Sequence, residues 1–191
     1  MKIGVLALQG AFREHARMFG ELGVDTELVK LPKHLDGVDG IVIPGGESTT
    51  MGKLLRENKL LEPVQELGRS GTPMFGTCAG MIVLAKHIQG AEEPHLALMD
   101  IDVNRNSFGR QRDSFEADLD IPAIGAAPFP AVFIRAPHVT SIGSGVEVLA
   151  KYEDRVVAAR EGHYLALSFH PELTDDNRLH AYFVDMIEGR P

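Results

Sequence analysis

The chain holds a single cysteine, Cys78, inside the run Gly76-Thr77-Cys78-Ala79-Gly80. Composition alone would file a lone cysteine as a small buried hydrophobe. Its setting argues for chemistry. The run joins the apolar stretch TPMF to the apolar stretch MIVLA, so the pattern G-x-C-x-G falls at a predicted strand-to-helix turn. This is the thiol counterpart of the G-x-S-x-G nucleophile elbow, where a sharp turn presents the nucleophile and glycines admit close backbone. The first N–H groups of a helix lack intrahelical acceptors and favour negative charge, so sulfur placed there favours its thiolate form. The Ala79 amide would then face the oxyanion formed when that sulfur attacks a carbonyl. A purely structural glycine turn is the alternative.

A thiol nucleophile needs a proton acceptor, and eight histidines are available. His170 opens His170-Pro171-Glu172 directly after the strand-like YLALSF. Residues two apart in extended chain face the same side, which sets Glu172 beside the imidazole, and Pro171 disfavours helical backbone at His170. A carboxylate on one ring nitrogen selects the tautomer and stabilises imidazolium, leaving the other nitrogen for the thiol. Taken without Cys78, the pair would read as a strand-end histidine satisfied by its neighbour. Among the others, His15, His87 and His180 fall in helical patterns as partly exposed or core-edge residues. His34 and His95 fall in loops with no obvious partner, and His163 faces away from His170 on a regular strand. His138, at the end of RAPH, is the rival base.

A third segment, Pro44-Gly45-Gly46-Glu47-Ser48, also follows an apolar run and opens a helical pattern. Its glycines permit backbone amides to point into a pocket, so Gly46 is a second candidate oxyanion donor. A phosphate cradle has the same strand–turn–helix form, but Glu47 stands where such a site uses lysine, and no G-x-x-x-x-G-K-[ST] occurs.

The elements that must hold these three turns follow from the pattern. Near-continuous apolar runs at KIGVLAL, DGIVIP and TPMFGT read as strands buried on both faces, with a further strand at VDTELVK. Helices are predicted after the first run, over one or two segments of TTMGKLLRENKLLEPVQELGRSG, and across AGMIVLAKHI. Alternating strand and helix up to about residue 88 implies an α/β fold with a mostly parallel central sheet flanked by helices. Residues 98–170 carry strand-like runs with little helical patterning, so β-hairpin strands are expected there, with Glu153 and Asp154 in a turn. A last helix carries Leu179, Tyr182, Phe183, Met186 and Ile187 on one stripe, with Thr174 as its expected N-cap. No repeat or linker interrupts residues 1–191, which read as one domain. In such sheets, sites gather at the carboxyl ends of strands, where all three turns would converge.

Bulk properties exclude several classes. With 27 acidic against 19 basic residues and a net charge of −8, the chain lacks the positive surface that nucleic acid requires. Hydrophobic content of 44% contains no apolar run of membrane-spanning length, and MKIGVLALQG carries no basic segment followed by a cleavage site, so a cytoplasmic location is expected. One cysteine and scattered histidines lack zinc-site spacing, so no metal is expected, and no cofactor site is recognisable.

With the elbow, the His-Pro-Glu segment and the Gly-Gly-Glu-Ser turn in hand, the chain resembles the class I, triad-type glutamine amidotransferases. Within them it is similar to the glutaminase subunits of pyridoxal 5'-phosphate synthase complexes, through GVLALQGAFREH, PGGESTTM, MFGTCAGMIVLAK, RNSFGRQRDSFEADL, FIRAPH and SFHPELT. The resemblance implies a class I amidotransferase-like, flavodoxin-like fold. It also implies a Cys78–His170–Glu172 triad and L-glutamine contacts from Gly46, Glu47, Ser48, Arg105, Ile134 and Arg135. Glutamine carries an α-ammonium and an α-carboxylate; Glu47 is expected to help place the first, and Arg105 or Arg135 to meet the second. Each arginine has a surface ion pair as its alternative. The implied partner is a separate synthase subunit that consumes the ammonia, with low activity expected in its absence. Rival readings are a stand-alone cysteine hydrolase on the same scaffold and a non-catalytic docking subunit.

Overall fold

The apolar run KIGVL forms the first strand, β1 (Lys2–Leu6), in the computed structural model, which describes residues 1–105, 108 and 113–190. The chain then alternates: α1 (Phe12–Glu21), β2 (Asp25–Val29), β3 (Gly40–Ile43), α2 (Ser48–Glu57), α3 (Leu61–Arg69), β4 (Met74–Thr77) and α4 (Ala79–Leu84). Strands follow: β5 (Ala85–Ile88), β6 (Met99–Asn104), β7 (Ser114–Leu119), β8 (Phe129–Ile134), β9 (His138–Ile142), β10 (Glu147–Tyr152), β11 (Arg155–Glu161) and β12 (Tyr164–Leu167). The last helix is α5 (Arg178–Ile187).

The main sheet runs β2-β1-β3-β4-β12-β11-β9-β6-β5, with β10 paired on β11. The first five of these strands are mutually parallel, while β11 and β9 join antiparallel. Strands β7 and β8 form a separate antiparallel hairpin. Alternation along the buried strands feeds a core on each face: Ile41 and Ile43 pack into one, Val42 into the other. The expected α/β sheet with added hairpin strands is what forms. Glu153 and Asp154 make the β10–β11 turn, both with positive φ, at 47° and 63°.

Two expectations need correction. The helix predicted across AGMIVLAKHI stops at Leu84. The carbonyls of Val83 and Leu84 accept from Leu96 and Leu98 backbone amides at 3.0 and 2.9 Å, and residues 85–88 pair alongside β6 instead. Thr174 does not cap α5, whose cap residue is Asn177. Its hydroxyl is engaged locally, donating to the Pro171 carbonyl at 2.8 Å beyond a 3-10 turn at Pro171–Leu173. Within the stretch where hairpin strands are expected, β9 lies between β6 and β11 and pairs with both.

Candidate active site

Three neighbouring parallel strands, β3, β4 and β12, deliver the three predicted turns to one sheet edge. Cys78 follows β4 directly with φ 53° and ψ −111°, backbone that a non-glycine residue adopts at a cost of about 1–3 kcal/mol. Both glycines of the motif are close-approach positions. A Cβ at Gly76 would lie 2.5 Å from the Gly80 carbonyl oxygen, and one at Gly80 would strike the Ile43 carbonyl of β3. The elbow is therefore wedged between its own helix and the neighbouring strand, which keeps the strained turn in place. The helix behind it spans only Ala79–Leu84, so it contributes free N–H groups at its start more than a long-range dipole.

His170 lies beyond β12, its backbone N–H donating to Val132 of the β7–β8 hairpin at 2.8 Å. Its Nδ1 meets Glu172 Oε1 at 2.6 Å, and the ring and the Cys78 side chain flank Gly45 together. Cys78 and His170 are 6% and 7% exposed, and Glu172 is fully buried. Burial pulls the His170 pKa down, but the hydrogen bonds and charges of Cys78 and Glu172 outweigh it and push the imidazole up to about 10. At neutral pH the ring therefore holds its proton. The sulfur also approaches the Ile134 carbonyl at 3.7 Å, which ties the end of β8 to the elbow.

The mouth of this line is a cavity of about 400 Å³ lined by Gln9, Gly46, Glu47, Ser48, Cys78, Ala79, Ile82, Arg105 and Arg135. The predicted residues Gly46, Glu47, Ser48, Ala79, Arg105 and Arg135 thus line the same cavity as Cys78. Ile134 takes part through its carbonyl. Of the run Arg105–Gln111, residues 106, 107 and 109–111 lie outside the described residues. Phe108 packs on Phe115 and Phe133 of the hairpin.

Glu47 is the N-cap of α2. Its carboxylate accepts from the Thr49 and Thr50 amides at 3.1 and 2.7 Å, from both threonine hydroxyls, and from Arg105 at 2.9 Å. Desolvation raises its pKa, yet the hydrogen bonds from Thr49 and Thr50 hold it at about 2. With those donors in place, Glu47 has little capacity left for an ammonium group, and its clearest role is to shape the turn. Gln9 belongs to that turn as well, accepting the Glu47 N–H at 2.9 Å.

Several histidines differ from their expected settings. His15 and His180 are fully buried, not partly exposed. Their rings meet at 2.8 Å, His15 Nε2 lies 3.1 Å from Thr77 Oγ1 and 3.5 Å from Glu172 Oε2, and burial drives both pKa values down, His180 to about 3. His87 sits on β5 rather than a helix, and His34 accepts the Lys30 and Leu31 amides, each at 3.1 Å. His95, expected without a partner, meets Glu92 at 2.7 Å. The rival base His138 pairs opposite Asn104 on β9, away from the elbow strands. Among the described residues, no group of His, Cys, Asp and Glu could hold a metal ion, and no helix is long and apolar enough to cross a membrane.

Chemically, the arrangement suits attack of sulfur on the carbonyl of a small, charged amide or ester. Comparison with known proteins narrows this. The model of the SNO glutamine amidotransferase family matches residues 5–189. The chain is 59% identical to pyridoxal 5'-phosphate synthase subunit PdxT of Geobacillus kaustophilus over 188 residues, 98% of this chain and 95% of that one. It is 58% identical to the same-named subunit of Pelotomaculum thermopropionicum, covering 97% and 94%. A crystal structure described as a glutamine amidotransferase superposes with a TM-score of 0.92 at 49% identity, covering 97% of this chain and 98% of that one.

Proposed function

This chain belongs to the SNO glutamine amidotransferase family, and from that premise we propose that Cys78, His170 and Glu172 are its catalytic triad, hydrolysing L-glutamine to L-glutamate and ammonia. The observation that carries the reading is the buried Cys78–His170–Glu172 line opening onto a cavity lined by Ser48, Arg105 and Arg135.

Cys78 attacks the side-chain amide carbonyl, with the Ala79 and Gly46 amides receiving the oxyanion. His170 gives its proton to departing ammonia, then activates the water that cleaves the γ-glutamyl thioester. Arg135, exposed at the cavity wall, and Arg105 are suited to the substrate's α-carboxylate. The family relatives are named as subunits of pyridoxal 5'-phosphate synthase. On that likeness the ammonia passes to a separate synthase subunit in a hetero-oligomeric cytoplasmic complex.

Glutaminase turnover should be low for the chain alone and rise about tenfold or more when the synthase subunit is added, because contact completes the Gly45–Gly46 side of the oxyanion site. Ammonia release measured with and without that subunit checks it, and equal turnover would sink the coupling. A second expectation concerns Gly45. A methyl there would sit 2.5 Å from His170 Cε1 and 3.2 Å from Cys78 Cβ. Gly45→Ala should therefore displace the imidazole and cut kcat by about tenfold or more, since misplacing a reacting group by an ångström is enough for that. Unchanged kcat would mean that the ring has room to yield.

A further inference from the structure

The loop between β5 and β6 places a buried carboxylate behind the cavity wall. Glu92, its side chain only 5% exposed, accepts from the Ser48 hydroxyl at 2.8 Å and meets His95 Nε2 at 2.7 Å through Oε1. Its Oε2 meets Arg105 Nη1 at 2.8 Å, as an ion pair rather than an aligned hydrogen bond. Glu92 does not line the cavity. The two residues that it holds, Ser48 and Arg105, both do.

The acid is itself firmly seated. Arg56 Nη1 lies 3.3 Å from His95 Nδ1, and a guanidinium only donates, so Nδ1 accepts and Nε2 carries the hydrogen that goes to Glu92. The imidazole fits against α2 because position 52 is glycine; a Cβ there would overlap the ring. Gln65 donates to the His95 and Leu96 carbonyls at 3.2 and 3.0 Å, anchoring the loop. An isolated buried carboxylate is costly, and this one is matched by the partners required to hold it.

We infer that Glu92, seated by His95, is a positioning residue for substrate recognition that sets the Ser48 hydroxyl and the Arg105 guanidinium where glutamine meets them. The inference rests on the glutaminase reading. It also divides Arg105 between two anions of different character. Nη1 is tied to buried Glu92, whereas Nη2 pairs with Glu47 at 2.9 Å across a contact in which the two side chains are 36% and 43% exposed. An exposed pair of that kind contributes little and is readily exchanged. Nη2 is thus the nitrogen that trades Glu47 for the substrate's carboxylate while Glu92 keeps the guanidinium aimed.

The test is Glu92→Gln in the full chain assayed with the synthase subunit. The amide keeps the shape but loses the charge facing Arg105 and cannot satisfy the same three partners. KM for glutamine should rise about tenfold or more while kcat at saturation stays within about threefold, the pattern of lost binding rather than lost chemistry. Glu92→Asp, which retains the charge on a shorter stem, should fall between the two. Glutamine titrated calorimetrically into Cys78→Ala and into Cys78→Ala/Glu92→Gln should show the same loss in Kd. Should Glu92→Gln fail to fold, His95→Gln, which unseats the acid without removing it, is expected to raise KM in the same direction. A folded Glu92→Gln or His95→Gln with wild-type KM, or one losing kcat at unchanged KM, overturns the inference. A wild-type complex that releases no ammonia from glutamine would instead overturn the glutaminase reading, and this inference with it.

Discussion

Cys78→Ala is expected to abolish ammonia release from glutamine, lowering kcat by about 10⁴-fold or more, while the protein stays folded and continues to bind substrate. The size follows from the site's construction. His170 faces Glu172 through Nδ1 and lies beside Cys78, so a variant without the sulfur leaves the proposed base with no thiol to serve. The nearest hydroxyl in sequence, Thr77, is fully buried against His15 and points away from the cavity wall. Oxyanion donors and arginines would remain, so glutamine affinity should survive. Removing one sulfur leaves a small gap beside the Ile134 carbonyl, and the positive φ at position 78 is as unfavourable for alanine as for cysteine. The melting temperature should consequently shift by only a few degrees, about 1 kcal/mol or less. An ammonia assay with the synthase subunit, paired with a thermal melt, decides it. A folded variant retaining a tenth of wild-type turnover would remove Cys78 from the mechanism.

Glu172→Gln should lower kcat by about 10²- to 10⁴-fold, the scale seen when the orienting carboxylate of a triad becomes an amide. The carboxylate is fully buried, and its Oε1 takes His170 Nδ1–H at 2.6 Å. An amide oxygen can still accept there but carries no charge to stabilise imidazolium, and an amide nitrogen would oppose Nδ1–H. The same variant alters the pH dependence of stability. The His170 pKa is raised in the folded protein from 6.5 to about 10, so its protonated ring binds the folded state better than the unfolded one. That contribution is complete below 6.5 and is lost as pH rises towards about 10. Wild-type melting temperature should decline across that window, and Glu172→Gln should flatten the decline because one of the groups raising the pKa is gone. Melts at intervals between neutral pH and about pH 10.5 test this. Full activity, or a slope identical to wild type, would mean that Glu172 acts only as packing.

What could be read from the chain without coordinates were the features carried by short-range geometry. Gly76-Thr77-Cys78-Ala79-Gly80 announces a sharp turn because only glycine tolerates the contacts on either side, and those contacts are with Gly80 itself and Ile43. His170 and Glu172 announce each other because extended backbone places residues two apart on one side. The alternation of buried strands and amphipathic helices gives the parallel half of the sheet for the same reason. Local pattern failed where a distant element competed. Residues 85–88 continue a helical apolar pattern, but pairing with the later strand β6 satisfies their backbone instead. Thr174 has the chemistry of a cap, yet its hydroxyl is taken by Pro171.

The turn at Cys78 and the pairing of His170 with Glu172 were therefore legible in the sequence, since each depends on neighbours one or two residues away. Only the tertiary structure decided what stands behind them. Polarity assigned His15 and His180 to helix faces near water, but the packing of α1 and α5 onto the sheet joins them in a buried pair beneath Thr77 and Glu172. Glu92 and His95 read as loop residues, and nothing in their spacing points 44 positions back to Ser48. Burial and cross-chain hydrogen bonds are properties of the packed molecule. A single strand or helix cannot specify them, because they arise when separately patterned elements close on one another.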